Sequence, residues 1–165
     1  MTSDIRAAIR QIQSFVPIEW TQIPDLGLYM DQVITIISRM YQPLFGEDMQ
    51  RCLSSSMINN YVKSKLIPRP TGKKYSREQI ALLIMIVALK QVCSMEDIRA
   101  MLILREGDTV EALYSAFCGR FSRVLRELPD DHTDSASAAL DFAIQASGYA
   151  AGCAAALRAS PEPVQ

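Results

Sequence analysis

The sequence predicts an all-α protein with at most one small β-hairpin. Apolar residues recur with the 3.6-residue period of amphipathic helices along most of the 165 residues. Ser or Asp stands before several of these periodic segments, as expected at helix N-caps, and strand-like alternation is rare. A hydrophobic content of 49% with 21% charged residues is typical of a globular chain that buries a sizeable core.

Helix boundaries follow from capping and helix-breaking residues. The first amphipathic helix is predicted over about residues 4–15, and a loop with two prolines and the single tryptophan follows. Asp25 is placed to cap a second helix through about residue 41, which Pro43 and Gly46 would end. Further helices are predicted near 55–64, 76–92, 94–104, 109–128 and 135–158.

The helix that starts at Ser76 is predicted to be the most buried. Ser76 and Gln79 form a capping-box pattern at its start. The run from Ile80 to Leu89 contains no polar residue, and a helix that is apolar all round has to be covered on every side.

Charge is segregated along the chain, although the net charge is only −1. Residues 51–77 hold seven Lys or Arg and no Asp or Glu, whereas the rest of the chain holds ten basic and all eighteen acidic residues. This asymmetry is typical of a surface that faces a polyanion. A run of solvated lysines without a partner is the simpler alternative.

The helix predicted at 55–64 has two unlike faces. Leu53, Met57, Ile58, Tyr61 and Val62 share one face, and Ser55, Ser56, Asn59, Asn60 and Lys63 share the other. In a DNA major groove, Asn can bond adenine bidentately and Ser can bond a base or a phosphate. Alternatively, the same residues serve as caps and turn formers or satisfy buried groups.

A stiff basic loop follows this helix. Pro68 and Pro70 restrict its backbone, and Leu66–Ile67 and Lys74–Tyr75 are predicted to pair as the two sides of a hairpin. Its positive charge comes from Arg69, Lys73 and Lys74. A helix for the major groove followed by a basic hairpin for the DNA backbone is a winged helix-turn-helix layout.

Three short motifs follow one another between residues 54 and 104. Tyr61 keeps a fixed spacing to Leu66–Ile67–Pro68, Lys73–Lys74–Tyr75 end the loop, and Ser94–Met95–Glu96–Asp97–Ile98 begin a later helix. In this order the motifs resemble the DNA-binding domain of the mercury-resistance-regulator (MerR) type. Residues 23–104, with "IPDLGLYMDQV" and "MINNYVK", resemble more closely an uncharacterised bacterial family, the domain of unknown function 1836.

Together, the charge pattern and the resemblance imply a transcriptional regulator that binds double-stranded DNA. Base contacts are assigned to Ser55, Ser56, Asn59 and Asn60. Phosphate contacts are assigned to Arg51, Lys63, Lys65, Arg69, Lys73, Lys74 and Arg77. Tyr61 and Tyr75, the tyrosines of the family pattern, complete the candidate DNA-binding residues. Because Asn59 stands where the MerR family has Arg, and Lys65 where it has Gly, a protein–protein adaptor that keeps the fold without binding DNA is the alternative.

No motif indicates an enzyme, a cofactor or a metal site. The glycines form no phosphate-binding loop, the single histidine lies in an acidic loop, and no Cys-x-x-Cys pair is present. The four cysteines are Cys52, Cys93, Cys118 and Cys153. Isolated cysteines and an N-terminus without a signal-peptide pattern predict a cytoplasmic protein, and the longest apolar run is too short to span a bilayer.

The two C-terminal helices are predicted to form a hairpin. The last one is rich in alanine, and its Gly148 and Gly152 have the spacing of a GxxxG motif. This small-residue face either packs on the preceding helix or forms the seam of a homodimer. The predicted organisation is an N-terminal helix and loop (1–22), a winged-helix domain (23–104), a C-terminal helical hairpin (105–159) and a disordered tail (160–165).

Overall fold

The computed structural model describes residues 4–46 and 52–160. These residues are mostly helical, which confirms the predicted all-α class. Arg51 and residues 161–165, for which a phosphate contact and a tail were predicted, lie outside the described residues. The elements are α1 (Ile5–Gln13), a 3-10 turn (Trp20–Gln22), β1 (Leu28–Tyr29), α2 (Met30–Phe45), α3 (Ser55–Lys63), β2 (Lys74–Tyr75), α4 (Arg77–Leu89), α5 (Met95–Met101), α6 (Val110–Arg126) and α7 (Ser135–Ala159).

Helix α4 is the centre of the fold, as its sequence predicts. Every residue from Gln79 to Val87 is buried. The predicted capping box is present: Ser76 Oγ accepts from the Gln79 amide at 3.3 Å, and Gln79 Oε1 accepts from the Ser76 amide at 2.8 Å. Helix α6 packs against α4, and the Tyr41 hydroxyl of α2 donates to the Ile84 carbonyl at 2.8 Å.

Helix α2 begins five residues after its predicted cap. Asp25 does not cap it, because Leu28 and Tyr29 are extended and form β1. The helix starts where Gln32 Oε1 accepts from the Tyr29 amide at 3.0 Å. At its other end α2 continues through Pro43, whose fixed φ is compatible with a helix, and ends at Gly46, which has φ 62°.

The predicted pairing of Leu66–Ile67 with Lys74–Tyr75 is wrong. β2 pairs instead with β1 in antiparallel register, Leu28 opposite Tyr75 and Tyr29 opposite Lys74. The amides of Leu66 and Ile67 are already used, because both donate to the Tyr61 carbonyl at the end of α3. The second strand of the basic loop is therefore tied to the strand that precedes α2.

Helix α6 shares its core with the preceding helices. Its buried Tyr114 and Leu125 belong to the same hydrophobic cluster as α2 and α4. The Tyr114 hydroxyl donates to the Ile18 carbonyl at 2.7 Å, which also fixes the loop after α1. Helix α6 is therefore packed onto the central helices and shares their core.

Helix α7 packs chiefly against α5, not along α6 as the predicted hairpin requires. Ala138 is the one residue of α7 in the buried class. Near its C-terminal end, Cys153 Sγ lies 4.0 Å from Cys93 Sγ and 3.9 Å from Met101 Sδ. A Cβ at Gly148 or Gly152 would meet no atom within 4 Å, so the expectation that these glycines pack on the preceding helix is wrong.

We expect a reagent of the disulfide class, such as oxidised glutathione, to link Cys93 to Cys153, because little movement separates their sulfurs. The two protein thiols would be oxidised to one disulfide while the reagent is reduced to two thiols. Burial, reinforced by the Cys153 thiol, raises the pKa of Cys93 to about 11. Reaction through its thiolate should therefore be slow at neutral pH and accelerate as the pH rises.

Peptide mass spectrometry would locate the disulfide. Thermal unfolding should show that it stabilises the folded protein by roughly 2–4 kcal/mol, as expected for a disulfide that closes a long loop. Cys153→Ser should abolish the link and Cys52→Ser should leave it unchanged. If alkaline oxidation left the Cys93–Cys153 pair reduced, the docking of α7 described above would be refuted.

Candidate nucleic-acid interface

Helix α3 has the two faces that its sequence predicts. Ser54 caps it, with Oγ accepting from the Met57 amide at 3.3 Å. Ile58 and Tyr61 are buried on one side. The exposed side carries Ser55, Ser56, Asn59, Asn60 and Lys63. Because both asparagines are exposed, the alternative in which they satisfy buried groups does not fit their position.

The end of α3 places a lysine where glycine is usual. The Leu66 amide donates to the Tyr61 carbonyl at 2.9 Å and the Lys65 amide to the Val62 carbonyl at 3.0 Å, the two bonds of a Schellman motif. This motif needs a left-handed residue after the cap, and Lys65 supplies it with φ 58°. An L-residue with a Cβ is strained in this conformation.

The loop after α3 is anchored to the central helix. Ile67 is buried, and the Pro68 carbonyl accepts from Gln79 Nε2 at 2.9 Å. Arg69 follows these two anchors and is exposed. The basic side chain is therefore presented from a fixed backbone.

A tight turn over residues 71–74 forms the tip of the basic loop. The Lys74 amide donates to the Thr71 carbonyl at 3.0 Å. Both central residues have positive φ, 57° at Gly72 and 62° at Lys73, as in the two-residue turns preferred between antiparallel strands. Lys73 and Lys74 are exposed. In the part of the chain that the structure describes, Lys65 and Lys73 are the two non-glycine residues with positive φ.

The β1–β2 pairing holds Lys74 in place. Its Nζ lies 5.3 Å from the centroid of the Tyr29 ring, within reach of a cation–π interaction. A Cβ at Gly27 would come 2.9 Å from Lys74 Cβ, so glycine is needed for the chain to pass this close. The position of Lys74 therefore depends on residues that precede α2.

Three of the candidate contact residues face inward. Tyr61 and Tyr75 are only 6% and 2% exposed, and burial raises the pKa of both hydroxyls. Arg77 donates from Nε to the Ile23 carbonyl at 2.9 Å, and its guanidinium lies 5.6 Å from the Trp20 ring centroid. The two tyrosines thus position α3 and β2 from inside the core, and Arg77 holds the loop before β1.

Sequence reasoning missed Arg99 of α5. This exposed guanidinium donates to the Ser64 carbonyl at the end of α3, beside Lys63 and Lys65. Arg99 is distant in sequence from the basic segment and carries no local motif, so only the packing of α5 beside α3 reveals it. The positive surface is therefore larger than residues 51–77 suggested.

Other site types find no support in residues 4–46 and 52–160. No group of three His, Cys, Asp or Glu side chains there could hold a metal ion. Among the described helices, none combines the length and the apolar character needed to cross a membrane.

We expect Lys65→Gly and Lys73→Gly each to raise the free energy of unfolding by up to about 1 kcal/mol, because glycine relieves the strain of left-handed backbone. Lys63→Gly is the matched control, since it removes the same charge from helical backbone and should destabilise by roughly 0.5–1 kcal/mol. Urea unfolding of the three variants and the wild type measures these changes in the free energy of unfolding. Equal destabilisation by all three would contradict the backbone assignment.

The model of the family described as Domain of unknown function (DUF1836) matches residues 18–117. No curated protein and no solved structure matches the chain. The match extends the region that the sequence motifs indicated, at both ends, and it includes the whole segment from β1 to α5.

Proposed function

The chain belongs to the DUF1836 family, whose description names no activity. We propose that it is a non-enzymatic transcriptional regulator of the cytoplasm. It would bind double-stranded DNA through a MerR-like winged helix-turn-helix. One observation carries the proposal: Lys65 and Lys73 occupy left-handed backbone where glycine would be less strained. Backbone strain of this kind clusters at functional sites. At both positions the side chain is that of lysine, and the two lysines lie at the two ends of one loop.

Helix α3 is the proposed reading helix. Its exposed face presents short hydrogen-bonding groups at its start and one cation, Lys63, at its end. Residues near the N-terminus of a recognition helix contact base edges, and Asn is suited to adenine. The face has no acidic residue, so nothing on it repels a phosphate backbone.

The DNA backbone is proposed to contact the exposed cations that flank α3. These are Lys63, Lys65, Arg69, Lys73 and Lys74. Phosphate contacts fix register and orientation without reading sequence. The hydrogen bond from Gln79 to Pro68 and the β1–β2 pairing support this role, because they hold the basic loop against a rigid core.

The double substitution Lys73→Ala/Lys74→Ala should weaken binding to all DNA sequences alike. It should also reduce the slope of log K against log salt by up to about 2, because each lost phosphate contact contributes about 0.9. Fluorescence anisotropy at several salt concentrations, with fragments selected from a genomic pool, measures both. Arg123→Ala/Arg126→Ala on α6 is the matched control and should leave the slope unchanged. An unaltered slope in the lysine variant would remove the loop from the interface.

Asn59→Ala and Asn60→Ala should lower discrimination at one base position by roughly 1–3 kcal/mol. Stability should stay equal or rise slightly, since alanine is the stronger helix former. Non-specific affinity should barely change, because the cations carry it. A binding series over base substitutions, paired with thermal melts, tests this. A lower melting temperature with unchanged specificity would mean that the asparagines are structural.

The adaptor alternative has one observation in its favour. An apolar groove lies between α4, α5 and α6, with Leu89, Phe117 and Val124 among its lining residues. Val124 is 58% exposed there, and exposed apolar surface is typical of a protein-binding site. Absence of any DNA binding at low salt would favour this function over the first.

A homodimer through α7 is the proposed assembly, because two-fold regulators read paired half-sites. Leu140 and Ile144 are 61% and 60% exposed on this helix. Gly148→Leu with Gly152→Leu should yield monomers without lowering the melting temperature, because a Cβ at either glycine meets open space. Sedimentation velocity would distinguish the monomer from the dimer. A wild-type monomer at micromolar concentration would end the proposal, and a dimer that survives both substitutions would move the seam elsewhere.

A further inference from the structure

A cleft of about 520 Å³ opens beside the proposed DNA-binding face. Its walls are the C-terminal end of α3, the loop through residues 65–69 and the chain at the end of α5. A volume of this size is typical of small-molecule sites. The cleft brings together residues that are far apart in sequence.

The lining of the cleft is strongly cationic. Four basic side chains line it, and no carboxylate is found among the described residues of its lining. The Arg99 guanidinium donates to the Ser64 carbonyl, and Lys65, in left-handed backbone, follows Ser64 in the chain. An anionic group placed between them would gain charge-assisted hydrogen bonds. The basic residues are Lys63, Lys65, Arg69 and Arg99.

The lining of the cleft also includes an apolar, accessible segment. Leu102, Ile103 and Leu104 line it, and Ile103 and Leu104 are 54% and 40% exposed. A DNA backbone gains nothing from this surface, whereas an aliphatic chain would remove it from water. The cations and the apolar residues together therefore favour a ligand that has both an anionic group and an apolar chain.

We propose that this cleft binds an amphipathic anion, a straight aliphatic chain that ends in a carboxylate. Its head lies among the four cations and its chain lies along residues 102–104. The inference rests on the proposed function in one respect: Lys63, Lys65 and Arg69 also serve as DNA contacts. Ligand and DNA therefore compete, and the anion acts as an effector that releases DNA.

Isothermal titration calorimetry of the full chain, without DNA, tests the site directly. Octanoate should bind saturably, and 1-octanol and acetate, which each lack one half of the ligand, should bind about tenfold or more weakly. Arg99→Gln should weaken octanoate binding about tenfold, the effect of losing one charge-assisted hydrogen bond. Arg123→Gln on α6 is the matched control and should have no effect.

Ile103→Ser is the second variant, because Arg99 also contacts the end of α3 and its loss could disturb the fold. Ile103→Ser should weaken octanoate while leaving acetate binding unchanged. Octanoate binding no better than acetate, or equal losses in Arg99→Gln and Arg123→Gln, would overturn the proposal.

A competition experiment between octanoate and DNA tests the ligand site and the DNA-binding function separately. Saturating octanoate should lower DNA affinity in the wild type but not in Ile103→Ser. Octanoate binding in a chain that binds no DNA at any salt concentration would refute the regulator function and the competition while leaving the site itself supported. DNA binding by a chain that ignores octanoate would refute the cleft alone.

Discussion

The fold depends on a helix that has no side suited to water. Nine consecutive residues of α4 are buried, so its neighbours have to enclose it completely. Helix α6 packs against it, Tyr41 of α2 bonds to its Ile84 carbonyl, and the start of α4 secures the basic loop through Gln79. The most apolar part of the chain thereby fixes the position of its most basic part. A loop that carries several like charges needs such support, because the charges repel one another.

Local chemistry explains which features the sequence could predict. Ser54, Ser76 and Ser94 each cap the helix expected after them, since a cap depends only on residues a few positions away. The sheet was not predictable in this way. Both strands have two residues, too few for a recognisable pattern, and the choice of partner was decided by the amides of Leu66 and Ile67, which α3 had already used.

In the candidate site, too, features that depend on nearby residues were predictable and features that depend on the folded chain were not. The polar face of α3 follows from helical period alone, so its residues were identified correctly as one surface. Tyr61 and Tyr75 were grouped with the contact residues because a motif records which residues recur together and not which way they face. Arg99 and the left-handed lysines needed the folded chain, because they depend on how α5 packs beside α3 and on backbone angles that no side-chain pattern reports.

The basic loop also depends on Gly27, a residue without a side chain. It lies outside the basic segment and contributes no side chain, yet any larger residue there would collide with the stem of Lys74. The two positions therefore cannot change independently during evolution: a side chain at 27 requires glycine at 74 or a shifted strand. A substitution at residue 27 would accordingly displace Lys74, although Gly27 itself lies outside the basic segment.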